Sequence, residues 1–149
     1  MSLSTKIQIV LILTWFGVVL GISFLEAPVK FHTPSLTREV ALDVGRTVFQ
    51  ALNYFEWVMA FVLGTFVILT NKLSSNYPQK RTITALYTFI CLILFMQSFW
   101  LLPELKSRAG LIISGGEPAK NYLHLTYILM EISKLSLLLV MGSKKLSSV

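Results

Sequence analysis

Four long apolar runs govern what this chain can become: Ile7–Leu25, Thr47–Thr70, Thr82–Leu102 and Tyr122–Met141. Each is about 19 to 24 residues long, against the roughly 20 that a helix needs to cross a hydrocarbon core about 30 Å thick. Hydrocarbon offers no partner to a bare amide, so a run of this length in lipid must close its own hydrogen bonds as a helix. Charge usage agrees. Only 13% of the residues are charged, where a soluble domain would carry about 25%. The expectation is an all-α chain: a left-handed four-helix transmembrane bundle forming a single integral membrane domain over residues 1–149. Its helices are expected at about 7–25, 47–70, 82–102 and 122–141.

The first run follows Lys6 and contains Gly21-Ile22-Ser23, a weak small-x-small cleavage pattern. Its apolar length exceeds a signal-peptide core, so it reads as a retained helix. Gly17 and Gly21 have the small-xxx-small spacing that allows close helix approach. Cys91, the only cysteine, lies in the third run, where it cannot form an intrachain disulfide and reads as a packing thiol.

Between runs one and two, Thr33-Pro34 carries a helix-start signal, and Leu36, Val40 and Val44 recur every four residues. A short amphipathic helix in the membrane interface is expected there. The stretch Asn71 to Arg81 is short, polar and basic, with Pro78 as a breaker, and Ser114-Gly-Gly-Glu-Pro118 reads as a turn.

The basic excess reflects topology rather than nucleic acid. With a cytoplasmic N-terminus, the inner segments hold Lys6, Lys72, Lys80, Arg81, Lys144 and Lys145 and no acidic residue. Lys and Arg are equally numerous on the two sides. The inner segments are shorter, so their charges crowd the membrane ends, and both termini are expected on the cytoplasmic side.

An internal echo runs through the chain at an offset of 75 residues: Ser23-Phe24 with Ser98-Phe99, Pro28 with Pro103, and Glu56 with Glu131. It reads either as chance among apolar helices or as a duplicated helical hairpin, a parallel repeat like those in transporters.

The polar residues inside the runs need an explanation, because a charge at the bilayer centre costs about 2.5–3.5 kcal/mol on insertion scales. His124, Tyr127, Glu131 and Lys134 are spaced 3, 4 and 3 apart and share one helical face. Arg46, Asn53 and Glu56 share another, while Gln97 and Glu26 come from the other two helices. These nine residues form the candidate binding set, expected in the outer half of the bundle over an almost purely apolar inner half. One reading makes them structural: Glu131 pairs with Lys134, and Glu56 is held by Arg46, by Asn53 or by its own proton. The other makes them a wet pocket in which Glu56 and Glu131 bind a cation or relay protons. Metal ligation is weak on sequence, since no CxxC, HExxH or Glu-x-x-His spacing occurs. No catalytic constellation is present, and no cofactor is expected. Trp15, Trp57 and Trp100 read as lipid-interface or packing residues, Trp100 fitting the aromatic belt, and Lys144 and Lys145 as a membrane anchor.

Gly17-x-x-x-Gly21-x-x-Phe24-x-x-x-Pro28-x-x-Phe31, followed by Gly45 and Phe49, resembles a group of uncharacterised small bacterial four-helix integral membrane proteins, loosely similar to the copper-resistance-D type. Pro103-Glu104-Leu105 through Arg108 and His124-x-x-Tyr127-x-x-x-Glu131-x-x-Lys134 carry the likeness into the second half. The resemblance implies a bacterial inner-membrane protein of unassigned function. A copper role does not carry over, because no Met/His/Cys cluster accompanies these residues. Three functional classes stay open: ion, proton or small-solute transport as a homo-oligomer; an accessory or assembly subunit of a larger membrane complex; and, with least support, a membrane redox or metal-handling protein.

Overall fold

The computed structural model describes residues 2–73 and 77–147. The four runs form four helices: α1 (Leu3–Phe31), α2 (Arg38–Leu73), α3 (residues 77–113) and α4 (Leu123–Leu146). Each is long and apolar enough to cross a membrane, which makes this a multi-pass membrane protein. The tip of the expected Asn71–Arg81 loop, residues 74–76, lies outside the described residues. α1 and α3 each pack against α2 and α4, so α1 faces α3 across one diagonal of the bundle and α2 faces α4 across the other.

The expected interfacial helix after Pro34 is not a separate element. Its residues are helical from Arg38 onward but run unbroken into α2, because no proline interrupts residues 38–73. Thr33-Pro34 instead forms the turn before it, with the Leu36 amide donating to the Thr33 carbonyl at 3.1 Å. The start is capped four residues later than expected, by Thr37, whose hydroxyl accepts from the Val40 amide. At the far end of α3 the turn is as expected. Gly115 takes φ 84°, and the amides of Gly115 and Gly116 return to the carbonyls of Ile112 and Leu111, closing the helix as a Schellman motif.

α1 and α3 share a second irregularity. Each contains one π turn, Gly21–Glu26 in α1 and Gln97–Leu101 in α3. The Ala27 amide bonds to the Ile22 carbonyl and the Leu102 amide to the Gln97 carbonyl. Those two bonds are related by the same 75-residue offset as Pro28 and Pro103, each proline lying just past its π turn. A proline supplies no N–H and crowds the carbonyl four residues back, and widening the preceding turn relieves that conflict. The echo in the sequence therefore has a counterpart in the backbone.

The core runs down the bundle axis through Ile12, Leu63, Ile90, Leu94, Leu138 and Met141, all essentially sealed from outside. Leu13, Val58, Phe61, Phe89, Leu129 and Leu139 lie exposed on the outer faces, where lipid would cover them. Close approach is carried by Gly64 rather than by Gly17 and Gly21. A side-chain carbon at Gly64 would strike the Tyr87 ring, whereas carbons at Gly17 and Gly21 would meet nothing within 4 Å. The space over Gly64 lets the Tyr87 hydroxyl reach the Ala60 carbonyl at 2.8 Å.

Of the two bundle ends, one carries Pro28 and Pro103 and the other carries Lys144. The lysine end is less purely apolar than expected. Gln8 is buried there and donates to Thr70 Oγ1 at 2.7 Å, with Ser4 alongside at 2.9 Å from the same threonine. Lys144 is exposed, as an anchor should be, but Lys145 is turned inward.

Candidate functional site: a charge cluster at the floor of a cavity

Lys134 projects from α4 into the bundle axis and is fully buried. Its ammonium meets Glu56 Oε1 on α2 at 2.5 Å, Glu131 Oε1 one turn back on α4 at 3.0 Å, and Gln97 Oε1 on α3 at 2.8 Å. An ammonium has three N–H bonds, so these acceptors use all of them. Trp15 on α1 closes the arrangement, its indole N–H donating to Glu56 Oε1 at 2.9 Å. Gln97 turns its amide to Glu131 Oε1 at 3.0 Å. Each of the four helices thus contributes to one cluster, and Trp15, Glu56, Gln97, Glu131 and Lys134 are all at most 1% exposed.

The local sequence explains why these side chains meet. On α2 the buried positions Leu52, Glu56, Met59, Leu63 and Val67 follow a 3–4 spacing, as do Tyr127, Glu131, Lys134, Leu138 and Met141 on α4. The two glutamates occupy positions that the helical period turns inward. Gln97 is presented from the π turn of α3.

A cavity of about 840 Å³ opens at the proline end and descends to Glu131. Its lining includes Ser23, Phe49, Asn53, Trp57, Ser98 and Tyr127, with Lys30, Arg46, Lys106 and His124 also contributing. Tyr127 is buried beside Glu131 and Ser23, its ring edge-on to Phe49 with centroids 5.3 Å apart. Also in the lining, Ser98 accepts from Asn53 at 2.7 Å and from the Trp57 indole at 2.9 Å. Near the mouth, Lys30 lies over the Phe49 ring and pairs with Glu26 at 3.1 Å. The whole lining lies at the proline end, and Ile12, Leu63, Leu94, Leu138 and Met141 fill the bundle below the cluster.

Three buried side-chain atoms among the described residues have no hydrogen-bond partner: Gln8 Oε1, Ser23 Oγ and Glu131 Oε2. The last two belong to residues that line this cavity. Leaving such an atom bare costs about 1–3 kcal/mol, more when it is charged. The bundle tolerates that cost at the cavity floor.

The sequence-derived set is largely gathered here. Glu56, Glu131, Lys134 and Gln97 form the cluster; Tyr127, Asn53, Arg46 and His124 line the cavity; Glu26 holds Lys30 at its mouth. Two of the expected holders of Glu56, Arg46 and Asn53, are engaged elsewhere. Arg46 pairs with Asp43 at 2.6 Å and Asn53 bonds Ser98, so Lys134 and Trp15 take that role. Trp15 was missed as a donor, as were Ser23 and Ser98 as cavity residues and Lys30 at the mouth. Trp15 lies in the core and not at a lipid interface, while Trp100 is exposed. The signal for Trp15 was an arithmetic one: two inward carboxylates against one lysine require further donors.

Fold and site together define a four-helix integral membrane protein built round a buried, cross-linked charge cluster. Residues 10–109 match the model of a family described as a domain of unknown function (DUF4149), and the chain belongs to that family. Comparison with curated proteins and with solved structures found no match.

Proposed function

We propose that this protein is a small-solute carrier of the membrane, working by exchange of charge at the Glu56–Lys134–Glu131 cluster. The observation that carries the reading is the cavity that ends on Glu131, open at one end of the bundle and sealed below by close-packed aliphatic side chains. A pore would be continuous. A binding site midway along the bundle with one side closed is the arrangement a carrier passes through, and helices broken beside the site are a recurring device for it. The π turns beside Pro28 and Pro103 lie against this cavity in both halves of the chain and supply the bend points for opening the opposite side. The distribution of lysine and arginine favours the cavity facing outward, the resemblance to small bacterial membrane proteins favours an inner membrane, and four helices per chain favour a homo-oligomer. Metal handling gains no support: among the described residues no group of three or more His, Cys, Asp or Glu is placed to hold an ion.

The test needs no known substrate. In a Cys91→Ala background, Asn53→Cys probes the cavity and Leu63→Cys the sealed half. A carrier exposes Leu63→Cys to an impermeant thiol reagent added at the lysine end of the bundle, and Asn53→Cys to reagent added at the proline end. If Leu63→Cys stays unreactive from both sides while Asn53→Cys reacts, the cavity is static and the accessory-subunit reading replaces this one.

A further inference from the structure

We infer that the cavity takes an organic monocation with an apolar, aromatic-sized body. This deepens the carrier reading and rests on its assignment of the cavity as a ligand site. The cluster at the floor holds two carboxyl groups against one ammonium. Burial makes an uncompensated charge costly, and a bound cation would balance the floor as a proton on Glu56 would. The group that would receive the cation is Glu131. Its Oε1 is shared between Lys134 and Gln97, while its Oε2 is buried without a partner at the cavity floor. Ser23 lines the same cavity, with the Tyr127 hydroxyl beside it and beside Glu131.

The walls fit the same ligand. Phe24, Phe31, Phe49, Tyr54, Trp57 and Phe99 line the space, and aromatic faces attract a cation while burying an apolar body. Lys30 already lies over Phe49, 5.2 Å from the ring centroid, showing that this wall accepts positive charge. The basic residues of the mouth do not oppose entry strongly. Lys30 and Arg46 are neutralised by Glu26 and Asp43, and Lys106 is exposed, where salt screens it. At about 840 Å³ the cavity is in the range of small-molecule sites, roughly 300–1,000 Å³.

Tetraphenylphosphonium and tetraphenylborate have the same shape and opposite charge, so together they isolate the electrostatic claim. Equilibrium dialysis against purified protein, with protein-free micelles as the control, gives the two affinities. The wild-type protein is expected to hold the phosphonium at least tenfold more tightly. Glu131→Gln should remove the preference. Equal or tighter binding of the borate, or an unchanged preference in folded Glu131→Gln, overturns the inference; should that variant fail to fold, the wild-type ratio alone decides. Binding is read here without transport. Phosphonium selectivity without far-side labelling of Leu63→Cys would leave this inference standing and remove the carrier. Far-side labelling without selectivity would do the reverse.

Discussion

Replacing Lys134 by methionine leaves the bundle with two buried acids and no cation. Glu56 Oε1 keeps the Trp15 indole and Glu131 Oε1 keeps the Gln97 amide, but each loses its ammonium, as does Gln97 Oε1. Removing one partner of a buried ion pair costs about 3–5 kcal/mol. For a chain near this size each kcal/mol lowers the melting temperature by about 2–4 °C, giving a fall of about 6–20 °C. The control is the variant in which the acids go too, Lys134→Met with Glu56→Gln and Glu131→Gln. With every charge gone no ion is left uncompensated, and the remaining cost is the imperfect pairing of the new amides, so this protein should melt above Lys134→Met. Melting of the detergent-purified proteins, followed by helical circular dichroism, measures both. A Lys134→Met protein melting within about 2 °C of wild type, below one kcal/mol on the scale above, would refute the claim that the ammonium holds the acids.

Trp15→Phe deletes the indole donor to Glu56 and keeps most of the ring; a hydrogen bond to a charged group contributes about 1.5–3 kcal/mol, which thermal melting should register. Gly64→Ala pushes its new carbon into Tyr87 and should lose about 1–3 kcal/mol, while Gly17→Ala, with nothing within 4 Å, should stay within about 0.5 kcal/mol of wild type. Ser98→Ala strips the shared acceptor from Asn53 and Trp57, and a shift in Trp57 emission in a Trp15→Phe, Trp100→Phe background should report it. A cysteine at the exposed Ser114 should react with an impermeant reagent outside the cell; protection there would reverse the proposed topology.

Periodicity carries the parts that were legible in the sequence. Apolar run length located the four spans, and the 3–4 spacing of Tyr127, Glu131 and Lys134 fixed the face that turns inward. Glu56 and Glu131, the pair singled out by the 75-residue echo, do meet, on one ammonium. What stayed hidden depends on the distance between helices. Lys134 has Glu131 beside it in sequence, but its contact with Glu56 exists only because α2 and α4 face each other across the bundle. Trp15 sits among aliphatic neighbours that give no hint of its acceptor on another helix. The interfacial helix expected after Thr33-Pro34 and the span expected from about residue 47 are one helix starting at Arg38, capped by the Thr37 hydroxyl bonded to Val40. The π turns left a trace only in the matched prolines that follow them.

The charge cluster is proposed to work the bundle rather than merely to fix its register. Opening the sealed half would bring water to Glu56 and Lys134, and their hydration would repay the loss of packing among Leu63, Leu94 and Leu138. With leucines in the cluster, the same opening would wet hydrocarbon and gain nothing. The direct measurement is far-side labelling of Leu63→Cys, in the Cys91→Ala background, carried by the Glu56→Gln, Glu131→Leu, Lys134→Leu triple variant, alongside its melting temperature. The expected result is a well-folded protein whose Leu63→Cys is no longer labelled from the lysine end. Labelling at the wild-type rate in that well-folded variant would contradict it.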